Sequence, residues 1–117
     1  MSTAAPLVRG DVVLVRFPFT DLSGHKLRPA LVVGQPRGSD VILAFVTSRT
    51  ASLDAQAEYY VDAAHPEFAL TGLKTSSIIR LDKLATLHRS LVQRRLGYLG
   101  PQGERAVVRG LRYVFQI

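Results

Sequence analysis

"GHKLRPALVVG", residues 24–34, carries the reading on which the fold turns. From Ala30 the chain is apolar without a break, short, and free of helical spacing, so the segment reads as a buried β-strand. His25, Lys26 and Arg28 stand at its mouth. An arginine fork matches phosphate geometry and keeps its charge at any ordinary pH, so a loop of this composition bordering a cleft is an anion site.

The neighbouring segments have the same character. "DVVLVRF" (11–17) is dominated by β-branched residues and predicts the first strand. "PFTDLSGHKLRP" (18–29) is a loop of turn formers, of the length usually kept for function. After the turn "QPRGSD" (35–40), "VILAFVT" (41–47) predicts a buried strand and "AEYYVD" (57–62) a half-exposed one. Residues 63–77 have room for one helical turn between Pro66 and Gly72. In "SIIRLDKLATLHR" (77–89) the apolar period switches midway, which predicts a strand bending into another short strand, and "LVQRRLGYLG" (91–100) closes the sheet. Gly100-Pro101 opens a helix, with Glu104 in its first turn and Val107, Val108, Leu111, Val114 and Phe115 on one face.

No helix separates the early strands, so no crossover exists to make them parallel. The expected architecture is mainly β and a single domain over residues 1–117. It is a small antiparallel barrel, closed or nearly closed, with one C-terminal amphipathic helix packed on it.

Composition bounds the function. The chain is 47% hydrophobic, enough for one core, and contains no cysteine, which excludes disulfides, thiolate metal sites and a cysteine nucleophile. No apolar run approaches the ~18 residues of a membrane span, and the expectation is a soluble, cytoplasmic protein with no membrane partner. Residues 1–73 hold six Lys and Arg against seven Asp and Glu, whereas residues 74–117 hold nine against two. This local surplus of +7 attracts polyanions, nucleic acid first among them, or docks on an acidic protein; charge alone leaves both open.

His25, His65 and His88 stand far apart without the spacing of a metal motif, so no metal and no cofactor are expected, and His65 and His88 read as structural or solvated. The polar residues that could act together are Arg28, Thr47 with Ser48 beside Arg49 at the end of the third strand, and Arg80 and Asp82, which project to one face of a strand. An arginine, an aspartate and two hydroxyls could surround one phosphate. Each pair alone also has a plain structural reading, as an ion pair on a sheet face or a strand terminus.

Taken in order, "GDVVLVRFPFTDLSGHKLRPALVV", "VTSRT", "IIRLDKLATL" and "RRLGYL" resemble the MazF/PemK family of toxins from type II toxin–antitoxin systems, over roughly residues 9–115. The resemblance implies a homodimeric barrel with an SH3-like core that cleaves single-stranded RNA without a metal, held in check by a cognate acidic antitoxin. It implies catalytic positions at Arg28, Thr47, Ser48, Arg80 and Asp82, with His25, Lys26, Arg49 and Lys83 as RNA contacts. Many members carry a longer loop with an acidic residue after Gly-His, whereas here Gly24-His25 leads directly to Lys26, so the loop is expected to hold RNA differently.

Metal-free cleavage uses the RNA's own 2′-hydroxyl as nucleophile and yields a 2′,3′-cyclic phosphate. On chemistry alone Asp82 is the preferred base, oriented by Arg80, because a free arginine is a poor proton acceptor. Leu91, Leu96, Tyr98 and Leu99 are the expected apolar patch between two copies. Two other classes compete: a non-catalytic nucleic-acid-binding barrel, and a gyrase-poison-like toxin acting on a protein target through its C-terminal helix.

Overall fold

The structure, a computed structural model, describes residues 6–17 and 26–117. The first part of the loop expected at 18–29, and His25 with it, lies outside the described residues. Six strands form one antiparallel sheet: β1 (Asp11–Phe17), β2 (Lys26–Gly34), β3 (Asp40–Thr47), β4 (Glu58–Val61), β5 (Ser77–His88) and β6 (Val92–Tyr98). Their order across the sheet is β4-β5-β3-β2-β1-β6. One helical turn, α1 (Phe68–Thr71), precedes β5, and a long helix, α2 (Pro101–Phe115), ends the chain.

The central strands are apolar without alternation because both their faces are buried. Val12, Leu31, Ala44 and Val46 join Ile79, Leu81 and Val107 in a core between the sheet and α2. Their neighbours Val13, Val15, Val32, Val41 and Leu43 form a second core on the opposite face, covered by Leu87, Leu91 and Val92 from the far ends of the sheet. Bulges let such a sheet curl around its core. The β1–β6, β2–β3 and β3–β5 ladders all shift register. The largest shift takes β3–β5 pairing from Ala44 opposite Leu84 to Phe45 opposite Arg80. Residues 77–89, expected as a strand bending into a second one, are thus a single 12-residue strand to His88, bent where residues 81–83 overrun β3.

The sheet does not close by hydrogen bonds, since β4 and β6 are its two edges. The end of α1 lies on β6 instead. A Cβ on Gly97 would fall on the Leu70 carbonyl oxygen and one on Gly72 on the Leu96 carbonyl oxygen, and Gly72 takes the left-handed φ of +72° that ends the turn. From the other side α2 packs on β4 and β5, with a methyl at Gly110 landing on Leu81 Cδ1.

Helix α2 follows its expected start but not its whole expected face. Val107 is fully buried and Leu111 and Val114 pack on the core, whereas Phe115 is 55% exposed and the buried positions include Gly103 and Gly110. Its N-terminus has no local side-chain cap. The Glu67 carboxylate accepts the Gln102 and Gly103 N–H groups at 3.1 and 3.2 Å, placing an anion where the helix dipole favours one. His65 braces this cap: Nδ1 accepts the Glu67 N–H at 3.0 Å, so Nε2 carries the proton toward Gln102 Oε1 at 2.9 Å.

The four residues expected to pair two copies do not form one surface. Leu99 is buried in the helix-side core, Leu96 packs against that core, and Leu91 packs into the second core. Tyr98 is exposed, with Arg95 over its ring at 5.4 Å. Because α1 rests on β6 with no space for a methyl, Gly97→Ala should destabilise the fold by roughly 2 kcal/mol or more. Urea unfolding measures it, and a change under about 0.5 kcal/mol would show that the contact is loose.

Candidate active site

Where β2 begins, its two ladders are out of step. It pairs with β1 from Lys26 but with β3 only from Ala30. Pro29, which has no N–H to give, stands at the last position before the β3 ladder starts. Lys26–Arg28 are therefore edge-like on one side, and Arg28 is exposed within β2 rather than in a loop at its mouth. Beside it opens a groove of about 940 Å³.

The groove floor is apolar, with Leu14, Phe45, Ile78 and Leu96. Its walls are the segments around residues 48–53, after β3, and 72–75, before β5. Among the described residues six cations line it, Arg28, Arg49, Lys74, Arg80, Lys83 and Arg94, and no carboxylate does. Thr47 and Ser48 stand on the same wall. Thr47 Oγ1 accepts the Arg49 N–H at 3.1 Å, which leaves its own O–H to donate.

Arg80 faces Phe45 on β3 and Glu58 on β4. Its Nε and Nη2 donate to Asp82 Oδ1 and Oδ2, both at 3.1 Å, and its Nε lies 3.8 Å from Glu58 Oε2. These bonds with Asp82 work against burial to hold the Arg80 guanidinium above its ordinary pKa, with the charges of Asp82 and Glu58 adding to them. Asp82 is held below the usual carboxylate range, chiefly by the hydrogen bonds from Arg80. Burial raises Glu58, but the Leu53 and Asp54 N–H groups, the Ser52 hydroxyl and Arg80 outweigh it and bring Glu58 below its ordinary value.

Arg28, Thr47, Ser48, Arg49, Arg80 and Lys83 thus come together on one groove, as a site assembled from β2, β3 and β5. Lys26 is exposed at the start of β2 and does not line it. Asp82 does not line it either; it borders a smaller hollow with Asp54 and Tyr113. Both Asp82 oxygens accept from the Arg80 fork, which holds the carboxylate pKa low and ties the two side chains into one bidentate pair. Lys74, Thr75 and Arg94 line the groove without having been singled out; two of them belong to the basic surplus of residues 74–117. Among the described residues no group of three or more His, Cys, Asp or Glu could hold a metal ion.

A carboxylate with a lowered folded-state pKa stabilises the fold above its unfolded value and loses that contribution as pH falls through the folded value. Glu58 and Asp82 both lie below their ordinary 4.5 and 3.8. The urea midpoint should therefore hold near neutrality and fall below about pH 4, with a shallower fall for Asp82→Asn. A wild-type midpoint level down to pH 3 would mean that these contacts do not form in solution.

The fold has counterparts among solved structures. An endoribonuclease from a mycobacterial species, solved in complex with its cognate antitoxin, matches with TM-score 0.73 at 17% identity over 97% of each chain. The Mycobacterium tuberculosis toxin MazF-mt6 matches with TM-score 0.71 at 22% identity, over 92% of this chain and 97% of that one. Another mycobacterial endoribonuclease matches with TM-score 0.68 at 19% identity, over 97% and 94%. Likeness at such identities establishes the fold. No curated protein sequence matches the chain. The family profile described as PemK-like, MazF-like toxin of type II toxin-antitoxin system matches residues 8–115, and the chain, nearly the whole of which is covered, belongs to that family.

Proposed function

We propose that this protein is the toxin of a type II pair and acts as an endoribonuclease, cleaving single-stranded RNA by attack of the 2′-hydroxyl without a metal ion. The observation that carries the reading is a groove over an apolar floor that, among the described residues, is lined by six cations, by hydroxyls that include Thr47 and Ser48 beside them, and by no carboxylate. Cations and hydroxyl donors suit a phosphodiester backbone, and the apolar floor suits unstacked bases. A non-catalytic binding barrel would need the cations but not Thr47 and Ser48 beside them.

In the proposed reaction the 2′-oxygen bonds to phosphorus as its proton leaves to water in the open groove, and the P–O5′ bond breaks. The products are a 2′,3′-cyclic phosphate and a 5′-hydroxyl, the latter formed as the leaving oxygen takes up a proton. Arg28 and Arg80 stabilise the charge that develops on the phosphoryl oxygens, Thr47 and Ser48 add neutral donors, and Asp82 keeps Arg80 oriented. Arg49, Lys74, Lys83 and Arg94 hold the flanking phosphates. Lys26, exposed at the start of β2, extends the basic surface, and His25, the residue before it, is proposed as a further RNA contact from its place in the sequence alone.

The whole chain works as one toxin domain in this reading. Its partners are a second copy in a homodimer and an acidic antitoxin segment that covers the cationic groove; a mycobacterial endoribonuclease of the same fold was solved with its cognate antitoxin. No helix among the described residues is long and apolar enough to cross a membrane, and the proposed site of action is the cytoplasm, where messenger RNA is exposed.

Cleavage of a mixed-sequence RNA should be unaffected by EDTA, and an RNA with one 2′-deoxy substitution 5′ to the cut phosphate should bind and stay intact. Cutting of that substrate, or a need for a divalent ion, overturns the mechanism. Arg28→Ala should lower cleavage by about a hundredfold or more, with only partial rescue by lysine, which lacks the fork. Asp82→Asn should lower the rate, and beside Arg80→Met it should cause no further loss, because an orienting carboxylate acts only through Arg80. A further loss in the Arg80→Met background would return Asp82 to the part of general base.

A further inference from the structure

Glu58 has no place in the chemistry above, yet it is among the most heavily bonded side chains of the site. It sits on the edge strand β4 directly across from Arg80, and its side chain is 6% exposed. Oε1 accepts the Ser52 hydroxyl at 2.8 Å. Oε2 accepts the backbone N–H groups of Leu53 and Asp54 at 3.0 and 3.1 Å and approaches Arg80 Nε at 3.8 Å. One buried carboxylate therefore grips the 52–54 segment, whose Leu53 is part of the groove wall, and at the same time faces the guanidinium on the groove's other element.

We infer that Glu58 is a positioning residue, which sets Arg80 and the 52–54 wall in one fixed register so that a phosphate held between them is aligned for cleavage. The inference rests on the endoribonuclease reading and deepens it. A buried anion is tolerated only when its lone pairs are filled, and here they are filled from the wall on one side and the cation on the other. Arg80 in turn is 16% exposed in its side chain and shares itself between two carboxylates, Asp82 as a bidentate partner and Glu58 as a close charge. If either carboxylate is lost, the fork keeps its charge but loses an orienting partner. Small errors of orientation in a group that must meet a developing charge reduce rate more than binding.

Glu58 on β4 is separated from Arg28 on β2 by two whole strands, β5 and β3, so that its effect on the reaction must pass through Arg80 or the wall. This gives a test that a merely structural role does not satisfy. Glu58→Gln keeps size and loses the charge and one acceptor. It should lower single-turnover cleavage at least tenfold while KM changes less than threefold, and beside Arg80→Met it should cause no further loss, because the two act as a unit. Thermal melting checks that each variant is folded. Should Glu58→Gln not fold, Ser52→Ala takes its place: it removes one donor to Glu58 from an exposed residue, and should lower the rate at least twofold beside Arg80 but not beside Arg80→Met. A Glu58→Gln protein within twofold of wild type, or a loss of equal size in both backgrounds, overturns the role of Glu58 while leaving the endoribonuclease reading intact. Wild-type protein that leaves the RNA uncut overturns both.

Discussion

Leu81 is fully buried where β5 overruns β3, against α2 at a point where Gly110 offers no side chain, and much of the molecule depends on that contact. The bulge of residues 81–83 is what lets a two-sided apolar sheet curl until its ends cover one face. Because side chains alternate along a strand, burying Leu81 turns Arg80 and Asp82 the other way, close enough for a bidentate pair. The same residue that anchors the helix thus aims the site's central cation. A larger residue at 110 or a straight β5 would displace both.

Six cations around one groove repel one another, and the fold manages this unevenly. Arg80, the most buried of those with a described ion pair in the groove, is neutralised by Asp82 and Glu58. Arg28, Arg49 and Lys83 stand on exposed positions where water and salt screen them. Such a site binds a polyanion by releasing counterions, so its affinity falls as salt rises, whether the polyanion is RNA or an acidic protein segment.

The two glycines at the α1–β6 seam show how an open sheet can behave as a nearly closed one. Direct backbone contact replaces the missing ladder between β4 and β6, and α1 and α2 fill the gap. Structures at around 20% identity share the fold, since a core tolerates wide change in surface residues while its pattern of buried apolar positions is kept.

Six strand segments, their antiparallel sense, the terminal helix and four of the six cations that line the groove among the described residues were legible in the sequence, because local properties encode them: β-branched runs, turn formers, proline at a helix start, and cations and hydroxyls at strand ends. The open edge, the capping of α2 by Glu67, the exposure of Phe115 and the burial of Leu99 were not, since each depends on which distant segment arrives there. Arg80 and Asp82 could be seen from their spacing to share a face. How tightly they pair could not, because that depends on the fork reaching both Asp82 oxygens and on Glu58, which approaches the same guanidinium from another strand. The sequence by itself determined the elements and the chemical kinds of group available; only tertiary structure decided their pairing, because hydrogen bonds and charge neutralisation act through space between residues the chain keeps far apart.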